Sequence, residues 1–201
     1  MHRRRRDYLV AEEASPFRLE TERLILRDWR DEDWPEFWRV TNTPAVMRWL
    51  GDEADAATRD AARARLEGYR SQHGHTFWVL QRKDDGGHLS GEMLGFCGLK
   101  RSNVVGETVE GMMEVGWRLR EDAWGSGYAK EAAVASLDTA FNRFGADEVV
   151  ALTVAGNKAS WGLMVRLGMQ RREDLDFTDP RYGPHLNPSI VYAVTFEQWQ
   201  E

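Results

Sequence analysis

Three strand-like segments follow one another with no helix between them: residues 77–81, 93–100 and 110–119. Strands joined by loops this short pair as antiparallel hairpins, because a parallel neighbour needs a long crossover. A helical run at 130–144 and another strand at 148–154 come next, which supplies one such crossover. The sheet is therefore mixed, with hairpins feeding a crossover helix. Upstream, residues 18–29 read as a first strand, with Leu24 and Leu26 alternating against Arg23, Ile25 and Arg27. Asp31, Glu32 and Asp33 open a helix carrying Trp34, Phe37 and Trp38, Pro44 interrupts, and a second helix covers 56–72. Ala133, Leu137, Ala140, Phe141 and Phe144 stripe the long helix at 130–144, and Gly145 stops it. A short helix at 158–167, capped by Gly168, and a last strand at 189–196 complete the order, with one more strand around 170–177. The expected class is α/β (α+β): a mixed, mostly antiparallel central sheet of six or seven strands flanked by about four helices.

No repeat or low-complexity linker divides the 201 residues. Residues 1–16, with the run Arg3–Arg6, read as a mobile basic tail, and 17–201 as a single domain. The net charge of −6 argues against a nucleic-acid partner, whose footprint would be basic. One cysteine, Cys97, excludes an intrachain disulfide and a Cys-based zinc site, and fits a reducing cytoplasm. The apolar runs are too short to span a bilayer, so no membrane role is expected. His73 and His75 form an H-x-H with no visible third ligand, and no metal is expected.

Between the third hairpin strand and the long helix lies Trp124-Gly125-Ser126-Gly127-Tyr128-Ala129. Glycine costs backbone entropy, so two of them at the mouth of a helix need a reason. One is a plain strand-to-helix turn. The other is an anion site, in which free backbone N–H groups and the helix dipole meet a phosphate. The P-loop pattern fails because Glu131 follows Lys130, and the dinucleotide fingerprint fails because Lys130 stands at its third glycine.

The run Trp124 to Ala132 does resemble the acetyl-CoA pyrophosphate loop of the GNAT superfamily of N-acetyltransferases. It is in the form used by the branch similar to the ribosomal-protein alanine N-acetyltransferases (RimJ/RimL-like), with Trp124 where Gln or Arg is usual elsewhere. Leu19 to Arg27 is similar to that branch's opening strand, Asn157 to Ser160 with Leu167-Gly168-Met169 to its N-x-x-S…L-G-F segment, and His185 and Tyr192 to its closing stretch. The resemblance implies a single GNAT-type domain that moves an acetyl group from acetyl-CoA directly to a primary amine. The acceptor would be a small molecule or a protein N-terminus, and the enzyme a monomer or homodimer. The alternative is a non-catalytic acyl-CoA-binding or regulatory protein on the same scaffold. The resemblance further implies that Trp117, Arg118 and Leu119 pair with the pantetheine arm through their backbone, that Trp124, Gly125, Ser126, Gly127, Tyr128 and Ala129 hold the pyrophosphate, and that Asn157 binds the arm.

An amine acceptor is mostly protonated at neutral pH, so a base is needed. Glu114 occupies the position where the branch carries a glutamate base; otherwise it is a solvated strand residue. Ser160 is the candidate partner of the departing thiolate, or simply a first-turn residue of a helix capped by Asn157. Tyr192 is a possible second proton donor and His185 an alternative base. Cys97 reads as core. Trp29, Trp34, Trp38 and Trp49 are divided between core packing and an apolar acceptor pocket.

Overall fold

The computed structural model describes residues 16–104 and 106–201. The Arg3–Arg6 run lies outside them. The chain runs β1 (Arg18–Glu20), β2 (Leu24–Arg27), α1 (Asp33–Thr41), α2 (Pro44–Met47), α3 (Ala56–His73), β3 (Phe77–Arg82), β4 (Met93–Arg101), β5 (Met113–Leu119), α4 (Tyr128–Asn142), β6 (Glu148–Val154), α5 (Lys158–Arg166), β7 (Gln170–Arg171), β8 (Ser189–Thr195) and α6 (Phe196–Gln200). The strands form one open sheet in the order β1-β2-β3-β4-β5-β6-β8-β7. Every pairing is antiparallel except β5 with β6, joined through the crossover helix α4.

The expected count of six or seven strands and about four helices covers the longer elements, and the structure adds short ones. The single strand expected at 18–29 is broken into β1 and β2 by a turn at Thr21, whose Oγ1 accepts from the Leu24 N–H. Pro44 does not merely interrupt: it starts α2, where its missing N–H costs nothing and Thr43 caps the turn. Thr195 and Gln198 cap one another's backbone and end β8 in the five-residue α6. The strand expected around 170–177 is present only at its two ends, as the two-residue β7 and an isolated bridge between Phe177 and Ser189.

Alternation along the strands sends two sets of side chains to opposite faces. Leu24, Leu26, Trp78, Leu80, Cys97, Val115 and Val149 join α4 and α5 in the larger core. Val79 and Phe96 pack instead against Phe37 of α1 and Leu66 of α3. Of the described residues, no helix is long and apolar enough to cross a membrane.

Candidate active site

The parallel pairing of β5 with β6 lasts only two residues, Met113 opposite Val149 and Glu114 opposite Val150. Beyond Glu114 the strands part. β6 continues to Val154 in register with β8, and β5 continues to Leu119 in register with β4. The hydrogen bonds Ser102 N to Met112 O and Arg120 N to Leu94 O bracket the β4–β5 ladder. The even-numbered residues of β5 therefore bond to β4, and strand alternation turns the C=O of Val115 and the N–H and C=O groups of Trp117 and Leu119 toward the opening, the Val115 N–H closing the last rung to Val150. The backbone of Arg118 faces β4. The Trp117 side chain packs on the α4 core, and the Leu119 carbonyl is taken by the Trp124 Nε1–H at 3.0 Å.

Both strands deliver their C-terminal ends to the same edge, which brings the loop before α4 and the loop before α5 to the mouth of the split. Gly125 and Gly127 have φ of +75° and +80°, the left-handed region that side chains disfavour. Open space surrounds the position of a Gly125 Cβ. α4 begins without a side-chain cap. Among the described residues, no chain acceptor engages the N–H groups from Gly125 to Lys130. A helix start with this many free donors fits an anion. Ser126 is half-buried and Trp124 exposed, whereas the Tyr128 ring is buried, leaving only its N–H for a ligand.

A side-chain clamp that the sequence did not reveal holds the loop from behind. Arg23 donates from Nη1 to the Ser126 carbonyl at 3.0 Å and from Nε to Glu131 at 2.7 Å, and it lies 4.7 Å from the Tyr128 ring centre. Thr21 Oγ1 and the Arg23 N–H donate to the other Glu131 oxygen. Burial pushes the Glu131 carboxyl up, but these donors outweigh it and hold it below its usual value. The Tyr128 hydroxyl donates to the His88 carbonyl and accepts from Arg82 Nε. These partners lie 40 or more positions apart in sequence, so no local pattern announces them.

Glu114 sits where β5 and β6 part. It is 7% exposed, and the Lys100 ammonium, its cross-strand neighbour in register, lies 2.7 Å from Oε2. That contact is an ion pair without hydrogen-bond alignment, and Oε2 has no other partner among the described residues. On the same face of β5, Gly116 has no side chain, so the Phe77 ring lies over it; a Cβ there would fall 2.7 Å from the ring. Phe77, Phe96, Phe37, Trp38 and Tyr69 wall a cavity of about 230 Å³, into which Lys100 and Arg118 also reach. The Tyr69 hydroxyl is buried without a partner, and burial pushes its pKa up.

Asn157 caps α5, its Oδ1 accepting from the Ser160 N–H at 3.3 Å; Ser160 is half-buried in the first turn. Trp49 lies over Gly156 in the same loop, where a Cβ would fall 2.7 Å from the ring. Trp29 and Trp34 stack on each other at 4.0 Å. Tyr192 lies half-buried against the α4–α5 core. His185 is exposed in a short turn. Cys97 is fully buried, and burial pushes its thiol up to about 12, which disqualifies it as a nucleophile. A larger recess of about 870 Å³ lies between β1 and α4; neither cavity is lined by Glu114 or Ser160, but the smaller one is lined by Lys100, the partner of Glu114, and the larger one by no residue of β4 or β5.

An open mixed sheet split between two parallel strands, with a glycine loop feeding a helix at the split, defines the class of acyl-transferring α/β domains. The model of the acetyltransferase (GNAT) domain matches residues 23–170, and the chain belongs to that family. It is 33% identical over 154 residues to the uncharacterized protein YkkB of Bacillus subtilis (strain 168), covering 76% of this chain and 84% of that protein. The acetyltransferase from Agrobacterium tumefaciens str. C58 superposes with a TM-score of 0.71 at 25% identity, covering 95% and 98% of the two chains. Spermidine N-acetyltransferase from Vibrio cholerae, solved with CoA and spermine, shares the fold with a TM-score of 0.68 at 12% identity, covering 89% and 98%. The protein is an N-acetyltransferase of the GNAT family.

Proposed function

We propose that the protein transfers the acetyl group of acetyl-CoA directly to a primary amine, with the donor lying in the split between β5 and β6. The observation that carries this reading is the parting of the strands at Glu114, with the free N–H groups of the loop at the mouth. Those donors and the α4 dipole suit the pyrophosphate. The outward backbone of Val115 and Trp117 suits the amides of the pantetheine arm. The V. cholerae enzyme solved with CoA shares this fold.

In this reading the amine nitrogen attacks the thioester carbonyl, the new N–C bond forms, and the C–S bond breaks. Glu114 takes the proton the amine sheds, directly or through water, and Lys100 holds the carboxylate in place from its other side. The thiolate takes a proton from Ser160, Tyr192 or water. Thiol release from acetyl-CoA, measured against a panel of amines, tests the proposal. Amine-dependent turnover is expected. Tight CoA binding with no turnover on any amine would favour a binding protein on the same scaffold.

A further inference from the structure

The cavity lined by Lys100, the ion-pair partner of Glu114, carries positive charge that the protein leaves uncompensated, in a chain whose net charge is −6. Four cations line it: Arg65, Lys100, Arg118 and Arg181. Lys100 is paired with Glu114, and Arg181 makes a two-pronged contact with the buried Asp179. Among the described residues, Arg65 and Arg118 have no ion pair and their side chains make no hydrogen bond. Arg118 is the more telling of the two. Its guanidinium lies against the rings of Phe37 and Phe96, at 5.7 and 5.5 Å from their centres. Its Nε is buried without a partner. Burial, and then the nearby Arg65 charge, pull its pKa down to about 10, so it remains charged at neutral pH.

A guanidinium held in an aromatic wall, repelled by a second arginine and denied a carboxylate, is costly unless something else completes it. A planar two-oxygen anion would supply the missing charge and accept the idle N–H donors, the pairing for which arginine is best suited. The CoA phosphates are already provided for by the loop before α4.

Resting on the acetyl-CoA reading above, we infer that the acceptor is a small amine that also carries a carboxylate. Glu114 meets its amine end, and Arg118 with Arg65 holds its carboxylate. The size of the cavity suits an amino-acid-sized molecule better than a peptide. A polyamine, which would bring further positive charge to these arginines, is disfavoured.

The test uses the full chain saturated with CoA or acetyl-CoA. The twenty α-amino acids, β-alanine and 4-aminobutyrate are each compared with their own carboxamides, and spermidine is included. Binding is read by calorimetry and transfer by thiol release. At least one acid is expected to exceed its amide by ~100-fold in kcat/KM or affinity, since a site built to pair a polar group rejects the analogue lacking it. Arg118→Gln should collapse that ratio, mainly through KM, with CoA affinity unchanged and the melting temperature the same or higher. Arg65→Gln, at the exposed rim, serves as the second variant and should reduce the ratio less. Amides or spermidine equal to or better than every acid, or a ratio untouched in both variants, would overturn the inference. Failure of the wild type to bind acetyl-CoA would instead sink the donor reading, and this inference with it.

Discussion

The two halves of the site are made of different material. The proposed donor edge is built from backbone: N–H groups of Gly125 to Lys130 at a helix start, and outward-facing backbone groups of β5. The proposed acceptor cavity is built from side chains that α1, α3, β3, β4, β5 and the 181–182 turn contribute separately. A backbone site demands special dihedrals, and those leave glycines in a fixed local order. A side-chain site demands only that distant residues converge, and convergence leaves no local trace. In the proposed reading the donor is held by the backbone edge, and the cavity chooses the acceptor.

The largest expected effect attacks the backbone half. Gly127→Asp puts a carboxylate into the proposed pyrophosphate loop, its Cβ 3.4 Å from Arg23 Nη2, and forces an aspartate to φ near +80°. The strain is worth about 1 kcal/mol. Activity should fall by ~1,000-fold or more while the circular dichroism spectrum is retained. Full activity in this variant would mean that the loop is an ordinary turn.

Glu114→Gln comes next and attacks the other half. It keeps the shape and removes the proton acceptor, so kcat should fall by ~100-fold or more. An unchanged rate across the pH range would make Glu114 only the ion-pair partner of Lys100, an outcome their 2.7 Å contact makes worth checking.

Ser160→Ala sharpens the boundary between the halves. If the hydroxyl assists the departing thiolate, kcat and kcat/KM should drop together by ~10-fold with the melting temperature held. A stable variant with full turnover would move the role to Tyr192 or water.

The smallest effect concerns stability alone. His75 is buried with Nδ1 3.1 Å from the Leu99 carbonyl, and burial pulls its pKa below the usual 6.5. The unfolded chain then binds a proton that the folded chain resists. The stabilising contribution is complete above about pH 6.5 and declines as pH falls from there toward the folded value. The melting temperature should therefore drop between pH 7 and 5.5. His75→Asn, which keeps a donor but cannot titrate, should flatten that slope while lowering stability throughout.

The contrast also sets what the sequence made legible. The hairpin succession 77–119 and the crossover helix gave the fold, because period-2 and period-3.6 patterns are local. The glycine loop was legible for the same reason. Glu114 was singled out through the resemblance, from its place on the strand before that loop, but its ion-pair partner Lys100 depends on the register of the β4–β5 hairpin, which no pattern in the connecting residues encodes. Arg65 carries no local signal of a role in the cavity, and Arg118 was read as a backbone contact. Their meeting over Phe37, Phe96 and Tyr69 exists only once the sheet and helices pack. The Arg23–Glu131 clamp spans 108 positions and was invisible for that reason.

In the proposed reading, donor binding and acceptor chemistry reside in separable parts of one site. Calorimetric titration of CoA into wild type, Gly127→Asp and Glu114→Gln tests it most directly. One CoA should bind per chain in the wild type, Glu114→Gln should bind it with affinity within about twofold of wild type although its turnover falls, and Gly127→Asp should show no binding at the same concentrations. Undiminished affinity in Gly127→Asp, or loss of CoA binding in Glu114→Gln, would contradict it.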